Sequence, residues 1–238
     1  MQKFLFKTPL IKGLIKSRPN RFIMLVEINN KLEKCHCPST GRIANIKFED
    51  IPCLLSISDN PERKTKYTVE AISLFNEWIG INQSKANEYV EFFIKTNQIS
   101  KIFSDIKSVQ REVPLGKSRI DFLINNKDYL EVKMPLKDIS SENHPNHQKD
   151  KTKFNSFDRL IKHFKDISNS ISKDSRAIVL LCFIFNAPVF SPPIKNPEEK
   201  IIKAAKKASS KGLENWQINL KIDKHGIKLI DYFKLNLF

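Results

Sequence analysis

Within SRIDFLINNKDYLEVKM, residues 118–134, three side chains have types and spacing suited to chemistry: Asp121, Glu131 and Lys133. Two apolar runs flank Asn125-Asn126-Lys127-Asp128, a turn signal, so the stretch reads as a β-hairpin. Two carboxylates converging on one point offer hard oxygen ligands to Mg²⁺ or Mn²⁺. In Glu131-Val132-Lys133 the two-residue period of a strand puts Glu131 and Lys133 on one face and sends Val132 to the core. A metal ion there would polarise a phosphodiester and lower the pKa of bound water. The lysine would orient or activate that water and offset developing negative charge. These parts suit phosphate-ester hydrolysis.

The reading carries a geometric condition. With a plain four-residue loop at 125–128, Asp121 lies opposite Val132 and points away from Glu131. Convergence needs an odd-length loop, a bulge, or Asp121 at a strand end where pairing has lapsed. The competing reading of the same charges is a solvated strand edge, and spacing alone does not separate the two.

The elements around the hairpin follow from periodicity. From Phe22 to about Glu70 short strands alternate with turns: RFIMLVEI, KLEKCHCP, CLLSIS and TVEAISLF, with Ser39-Thr40-Gly41 and Ser58-Asp59-Asn60-Pro61 between them. Strands at this spacing suggest a small β-barrel of the OB type. After Trp78 the texture changes. ANEYVEFFIKTN reads as a helix ending near Asn97, and FDRLIKHFKDISNSI has helical spacing. RAIVLLCFIF is a continuous apolar run, as a strand covered on both faces requires. PEEKIIKAAKKASSKG reads as a helix with Pro197 near its start and Gly212 just beyond its end. ENWQINLKI and GIKLIDYFKL read as strands. The second half is thus an α/β domain with a mixed sheet, and the boundary falls near residues 78–84.

Composition narrows the partner. The chain holds 41 Lys+Arg against 26 Asp+Glu, a formal net charge of +15, which favours a polyanion, with nucleic acid the first choice. General solubility is the bland alternative. The excess is spread along the chain and is therefore carried by a folded surface. The basic N-terminus is broken by Pro9, Gly13 and Pro19 and does not read as a targeting segment. No stretch is long and apolar enough to cross a membrane, and four cysteines fit a reducing, cytoplasmic setting. Cys35-His36-Cys37 lacks a second cysteine pair at ligand spacing, so packing is preferred to zinc. His144 and His147 lie in a polar loop and read as solvated.

The stretches PLIKGLIKSRPNRF, HCPSTGR, SDNPERKTKYTVE, REVPLGKSRIDF and YLEVKM, in this order, carry a resemblance to the sugar fermentation stimulation protein (SfsA) family. The chain is similar to it from end to end, more weakly through FDRLIKHF, RAIVLLCFIF and the last strands. The resemblance implies an OB-like N-terminal domain, residues 1–80, followed by a domain like the PD-(D/E)xK nucleases, residues 81–238. It also implies DNA binding and an association with sugar (maltose) metabolism genes. In such nucleases the motif acids and lysine would be Asp121, Glu131 and Lys133. A helical carboxylate completes the metal site, Glu91 by alignment with Glu112 second. The chain departs from the family pattern at Met134, Phe157 and Leu160, while Arg159, Lys162 and His163 match it.

On the barrel's turns and loops, Arg18, Arg21, Arg42, Arg63, Lys64, Lys66 and Tyr67 are candidates for contact with nucleic acid. OB folds bind it with basic loops and stacking aromatics. Arg119, Arg159, Lys162 and His163 are their counterparts in the second domain. The leading expectation is a Mg²⁺- or Mn²⁺-dependent nuclease acting on DNA. The alternative is a non-catalytic DNA-binding regulator that keeps the nuclease fold as a scaffold, with RNA processing a third.

Overall fold

In the computed structural model, which describes residues 2–116, 118–148, 169, 171, 174–191 and 199–236, the chain forms two sheets. Its first half runs β1 (Phe4–Leu5), β2 (Ile11–Asn20), β3 (Ile23–Ile28), β4 (Lys31–His36), β5 (Ile51–Ile57), β6 (Tyr67–Leu74) and β7 (Glu77–Gly80). The helix α1 (Gln83–Lys95) follows, then β8 (Val109–Leu115), β9 (Ser118–Ile124), β10 (Asp128–Lys133) and β11 (Ala177–Phe183). The helix α2 (Glu199–Ser210), β12 (Glu214–Asp223) and β13 (Gly226–Leu235) complete it.

Alternation shapes the barrel. On β3, Met24, Val26 and Ile28 are buried while their neighbours are half-buried, the pattern of a strand with one face inward. The sheet order is β4-β3-β2-β5-β6-β7, and a parallel pairing of β4 with β6, Cys35 against Tyr67 and His36 against Thr68, closes strands β2 to β6 into an OB-like barrel. Cys35, Cys37 and Cys53 are buried free thiols, and burial pushes the Cys35 thiol up to about 12. They pack the interior as neutral groups.

The second sheet is mixed and curled, with order β1-β13-β12-β11-β10-β9-β8. Its centre is parallel, β10 with β11 and β11 with β12, and its flanks are antiparallel. All seven residues of β11 are buried, as its apolar run requires. Helix α1 lays Ala86, Tyr89, Val90, Phe93 and Ile94 into the core shared with the barrel.

Three elements were not legible as expected. The segment broken by Gly13 and Pro19 is a ten-residue strand, β2, with register shifts after Ile15 and Ser17. Strand β8 contains Pro114, tolerated because β8 is the sheet's edge and needs no N–H there. Strand β1 belongs to the second sheet, where Leu5 pairs with Gly226, so the first ten residues leave the barrel. A Cβ at Gly226 would overlap the Phe4 carbonyl, so only glycine lets the two strands approach. Of the helix expected over 157–171, only residues 169 and 171 are among the described residues. Among the described residues no helix is long and apolar enough to cross a membrane.

Candidate active site

The hairpin turn decides the site. Asn125 and Asn126 both take left-handed backbone, φ 52° and 58°, and Lys127 N–H bonds the Ile124 carbonyl at 3.1 Å. Asparagine tolerates this conformation better than most residues with a Cβ. The Asn125 side chain is itself anchored, its Oδ1 accepting Lys107 N–H at 2.7 Å and its Nδ2 donating to Asp105 O at 3.1 Å. Ile124 pairs with Asp128, so the connection has three residues, 125–127, rather than four. The register then runs Leu123 to Tyr129 and Phe122 to Leu130, and its next step sets Asp121 against Glu131. The odd-length condition is met.

The ladder between β9 and β10 stops at Phe122–Leu130, and Asp121 takes over. Its Oδ2 accepts Val132 N–H at 2.7 Å, and its Oδ1 accepts Asn87 Nδ2–H at 2.8 Å. Across the sheet on β8, Glu112 has a φ of 55°, a second irregularity at the same level. Glu131 is 2% exposed, and its Oε1 is ion-paired with Lys133 Nζ two residues along the same face. Strand β10 lies between β9 and β11, with Glu131 opposite Val179 and Lys133 opposite Leu181. Glu131 and Lys133 are therefore in the middle of a sheet, and the solvated-edge alternative fails.

Electrostatics agree with close placement. Burial and the neighbouring charge of Glu131 push the Asp121 carboxyl above the usual range, while Val132 N–H, Asn87 and Lys133 pull it back. The remaining expected carboxylate is elsewhere. Glu91 pairs with Lys95 Nζ at 2.7 Å and Arg111 Nη1 at 3.6 Å, one helical turn beyond Asn87. Glu112 is exposed and 3.9 Å from Arg119. Among the described residues no group of three or more His, Cys, Asp or Glu is placed to hold a metal, so the set Glu91, Asp121 and Glu131 is not assembled. The reason is position along the helix axis: the α1 residue level with Asp121 is Asn87, and Glu91 lies one turn further on.

Asn87 and Gln83 are the site residues that sequence reasoning missed. Gln83, Asn87 and Glu91 recur every four residues along α1 and so form one polar stripe, beside the buried face of Ala86, Tyr89, Val90, Phe93 and Ile94. That stripe was the available signal, and the family resemblance singled out Glu91 from it. Gln83 Nε2 donates to Met134 O at 3.0 Å, and its Oε1 accepts Ser39 Oγ–H at 2.9 Å. The residue after Glu-x-Lys is thus tied to the barrel.

The basic candidates divide by what they touch. Arg18 Nη2 donates to the carbonyls of Arg21, Ser39 and Gly41 at 3.1, 2.7 and 3.1 Å, which fixes the Ser39–Gly41 turn from within. Arg42 is half-buried, with Asn45 Oδ1 at 3.5 Å. Arg21, Arg63, Lys64, Lys66 and Arg119 are exposed, and Lys66 lies 5.4 Å over the half-buried Tyr67 ring. Arg159, Lys162 and His163 lie outside the described residues. His144 and His147 are structural: His144 packs edge-on against Phe75 at 5.2 Å, and His147 Nδ1 is 3.1 Å from Ser141 Oγ. A cleft of about 380 Å³ opens between the N-terminal segment, the barrel and the start of α1, away from Asp121, Glu131 and Lys133.

Comparison with known proteins bears on this arrangement. The chain matches the SfsA N-terminal OB domain over residues 17–81 and the sugar fermentation stimulation protein RE domain over residues 84–146. A sugar fermentation stimulation protein homolog of Clostridium novyi is 31% identical over 220 residues, 90% of this chain and 92% of that protein. The chain belongs to the sugar fermentation stimulation protein family. A homolog from Rippkaea orientalis is 34% identical over 133 residues, and the match spans 52% of this chain and 55% of that relative. A structure described as Pyrococcus furiosus SfsA in complex with Ca²⁺ superposes with a TM-score of 0.78 over 100% of both chains, at 19% identity. SfsA-type architecture, barrel then mixed sheet, is therefore shared well beyond sequence likeness.

Proposed function

We propose that this protein is a divalent-metal-dependent nuclease, with DNA as its first substrate class. The observation that supports it most is the placement of Asp121 against Glu131 on interior strands, beside Lys133. Asp121 and Glu131 offer only carboxylate oxygens, a donor set that fits Mg²⁺ or Mn²⁺. The SfsA of Pyrococcus furiosus described with Ca²⁺ supports a taste for hard cations in this fold. The ion, when bound, supplies Lewis acidity toward the phosphodiester and acidifies water. The chain does the rest. Val132 N–H and Asn87 hold Asp121 in place despite its burial. Lys133, about one-third exposed, brings positive charge and N–H donors to the developing charge on phosphate oxygens. The exposed Arg21, Arg63, Lys64 and Lys66 supply phosphate contacts that do not depend on sequence.

A second reading, a DNA-binding regulator that retains the fold without cleavage, draws support from Asn87 standing where a helical carboxylate was expected. One set of assays separates the two. Supercoiled plasmid, linear duplex, single-stranded DNA and RNA are incubated with Mg²⁺, Mn²⁺ or a chelator. Cleavage is expected with metal only, and Glu131→Ala or Lys133→Ala should lower it by about 10²–10³-fold. Equal rates in wild type and Glu131→Ala would overturn the nuclease assignment. Tight, salt-sensitive binding with no cleavage of any substrate would establish the regulator instead.

A further inference from the structure

The geometry points to a metal site that takes one divalent cation rather than two, with Asn87 as the positioning residue that sets this limit. The inference rests on the nuclease reading and refines it. Sites that hold two ions set them about 3.5–4 Å apart and share carboxylates between them. Such a pair brings four positive charges, and the negative charge must come from nearby acids. Among the described residues the acids at this point are Asp121 and Glu131, and the Lys133 ammonium already pairs with Glu131. The set carries a net charge of −1, so one divalent cation leaves it at +1, whereas a second would leave it at +3.

Among the described elements, helix α1 is placed to have supplied a third acid. Its polar stripe faces the β9–β10 hairpin with Gln83 on the Met134 carbonyl and Asn87 on Asp121 Oδ1 at 2.8 Å. An amide N–H is directed at a lone pair that a second cation would otherwise take, and it contributes no negative charge. Glu91, the nearest acid of the stripe, is held by Lys95 and Arg111. Moving it would release Arg111, whose guanidinium also lies 5.9 Å over the Phe122 ring. Asn87 acts through Asp121: it orients the carboxylate and occupies, with a neutral donor, the lone pair that a second ion would need.

Metal titration tests this without reference to turnover. Metal-free protein is titrated with Mn²⁺ while free Mn²⁺ is counted by electron paramagnetic resonance, with calorimetry using Ca²⁺ alongside. Wild type should bind one ion per chain. Asn87→Ala should keep one ion but bind it about 10-fold more weakly, the usual cost of losing an outer partner of a ligand. Asn87→Asp should admit a second ion and show the broadened spectrum of two coupled Mn²⁺ centres. Asn87→Ser, which keeps a small polar group, serves should either variant melt early. Two ions in wild type, both lost in Glu131→Ala, would overturn this inference and leave the nuclease reading intact. Unchanged affinity in Asn87→Ala, or a single ion in Asn87→Asp, would overturn the role given to Asn87. No binding to wild type, or binding indifferent to Glu131→Ala, would remove the metal site itself and the nuclease reading with it.

Discussion

Glu214 shows how single residues hold the hairpin that carries the site. Arg176 Nε donates to Glu214 Oε1 at 2.8 Å, Trp216 Nε1 donates to its Oε2 at 3.0 Å, and Lys234 approaches at 3.4 Å. Arg176 also gives its backbone N–H to Asp128 Oδ1 at 3.0 Å and Nη1–H to the Ile102 carbonyl at 2.8 Å. Arg176, through its guanidinium and its backbone N–H, therefore ties β12 to the first residue of β10. Burial alone would raise the Glu214 carboxyl, but the Arg176 bond, the Trp216 bond and the two cations together hold it at about 2. In the unfolded chain it titrates near the ordinary 4.5. Because the folded value is the lower one, its stabilisation is complete above about 4.5 and is lost as pH falls toward 2. The contribution is on the order of 2 kcal/mol after allowance for solvent screening at the half-exposed Arg176. Urea unfolding from pH 6 to pH 3 should show this loss, and Glu214→Gln should flatten it. Equal slopes in both proteins would show that Glu214 does not carry the acid dependence. Nothing in the sequence announced this network, because its members are separated by 38 and 48 residues in the chain.

At the scale of the element, the hairpin turn sets whether the two acids meet. Asn-Asn-Lys-Asp reads as four loop residues because all four are turn formers. Asp128 is nevertheless the first residue of β10, since its backbone pairs with Ile124 and its side chain accepts Arg176 N–H. That partner was invisible to local pattern, and the parity of the whole hairpin hung on it. The shared facing of Glu131 and Lys133 was legible from Glu131-Val132-Lys133, where strand period fixes it, while the helical partner of Asp121 was not. Gln83, Asn87 and Glu91 share one face, so choosing among them needs the axial position of α1 against β9, which packing sets. The turn itself is testable. Asn126 has a φ of 58°, so Asn126→Val should cost about 1–2 kcal/mol in chemical denaturation. Asn126→Gly should be neutral or mildly stabilising. Insertion of one glycine between Asn125 and Asn126 should restore an even loop and weaken Mn²⁺ binding far more than stability falls. Retained Mn²⁺ affinity in the insertion variant would mean that register does not bring Asp121 to Glu131.

On the scale of the whole molecule, the barrel and the mixed sheet act as one support for the residues that follow Lys133. Short strands at regular spacing made the barrel legible, and alternating helix and strand made the second half legible. A two-residue strand such as β1 carries too little pattern to reveal that it crosses to the other sheet. The joint between the two sheets was equally hidden, since it depends on close backbone approach. Gly80 N–H bonds the Ile184 carbonyl at 2.9 Å, and a Cβ at Gly80 would lie 2.5 Å from Ile184 Cγ2. From the barrel side, Ala44 N–H bonds Leu136 O at 2.8 Å, Gln148 N–H bonds Asn45 O at 2.7 Å, and Ile46 bridges to His147. The segment just after Glu-x-Lys is thus seated on barrel backbone. Forcing the joint apart at Gly80 should loosen that seat although Gly80 touches no site residue. Gly80→Val is expected to cost about 1–3 kcal/mol by overpacking. It should also separate the unfolding transitions of the two sheets, which are expected to coincide in the native protein. Trp78 on β7 and Trp216 on β12 report on the two sheets, so single-tryptophan versions can follow each one. Wild type should give superimposable denaturation curves, and Gly80→Val two displaced curves with weakened Mn²⁺ binding. Coincident curves and unchanged Mn²⁺ affinity in Gly80→Val would show that the mixed sheet holds its site without the barrel.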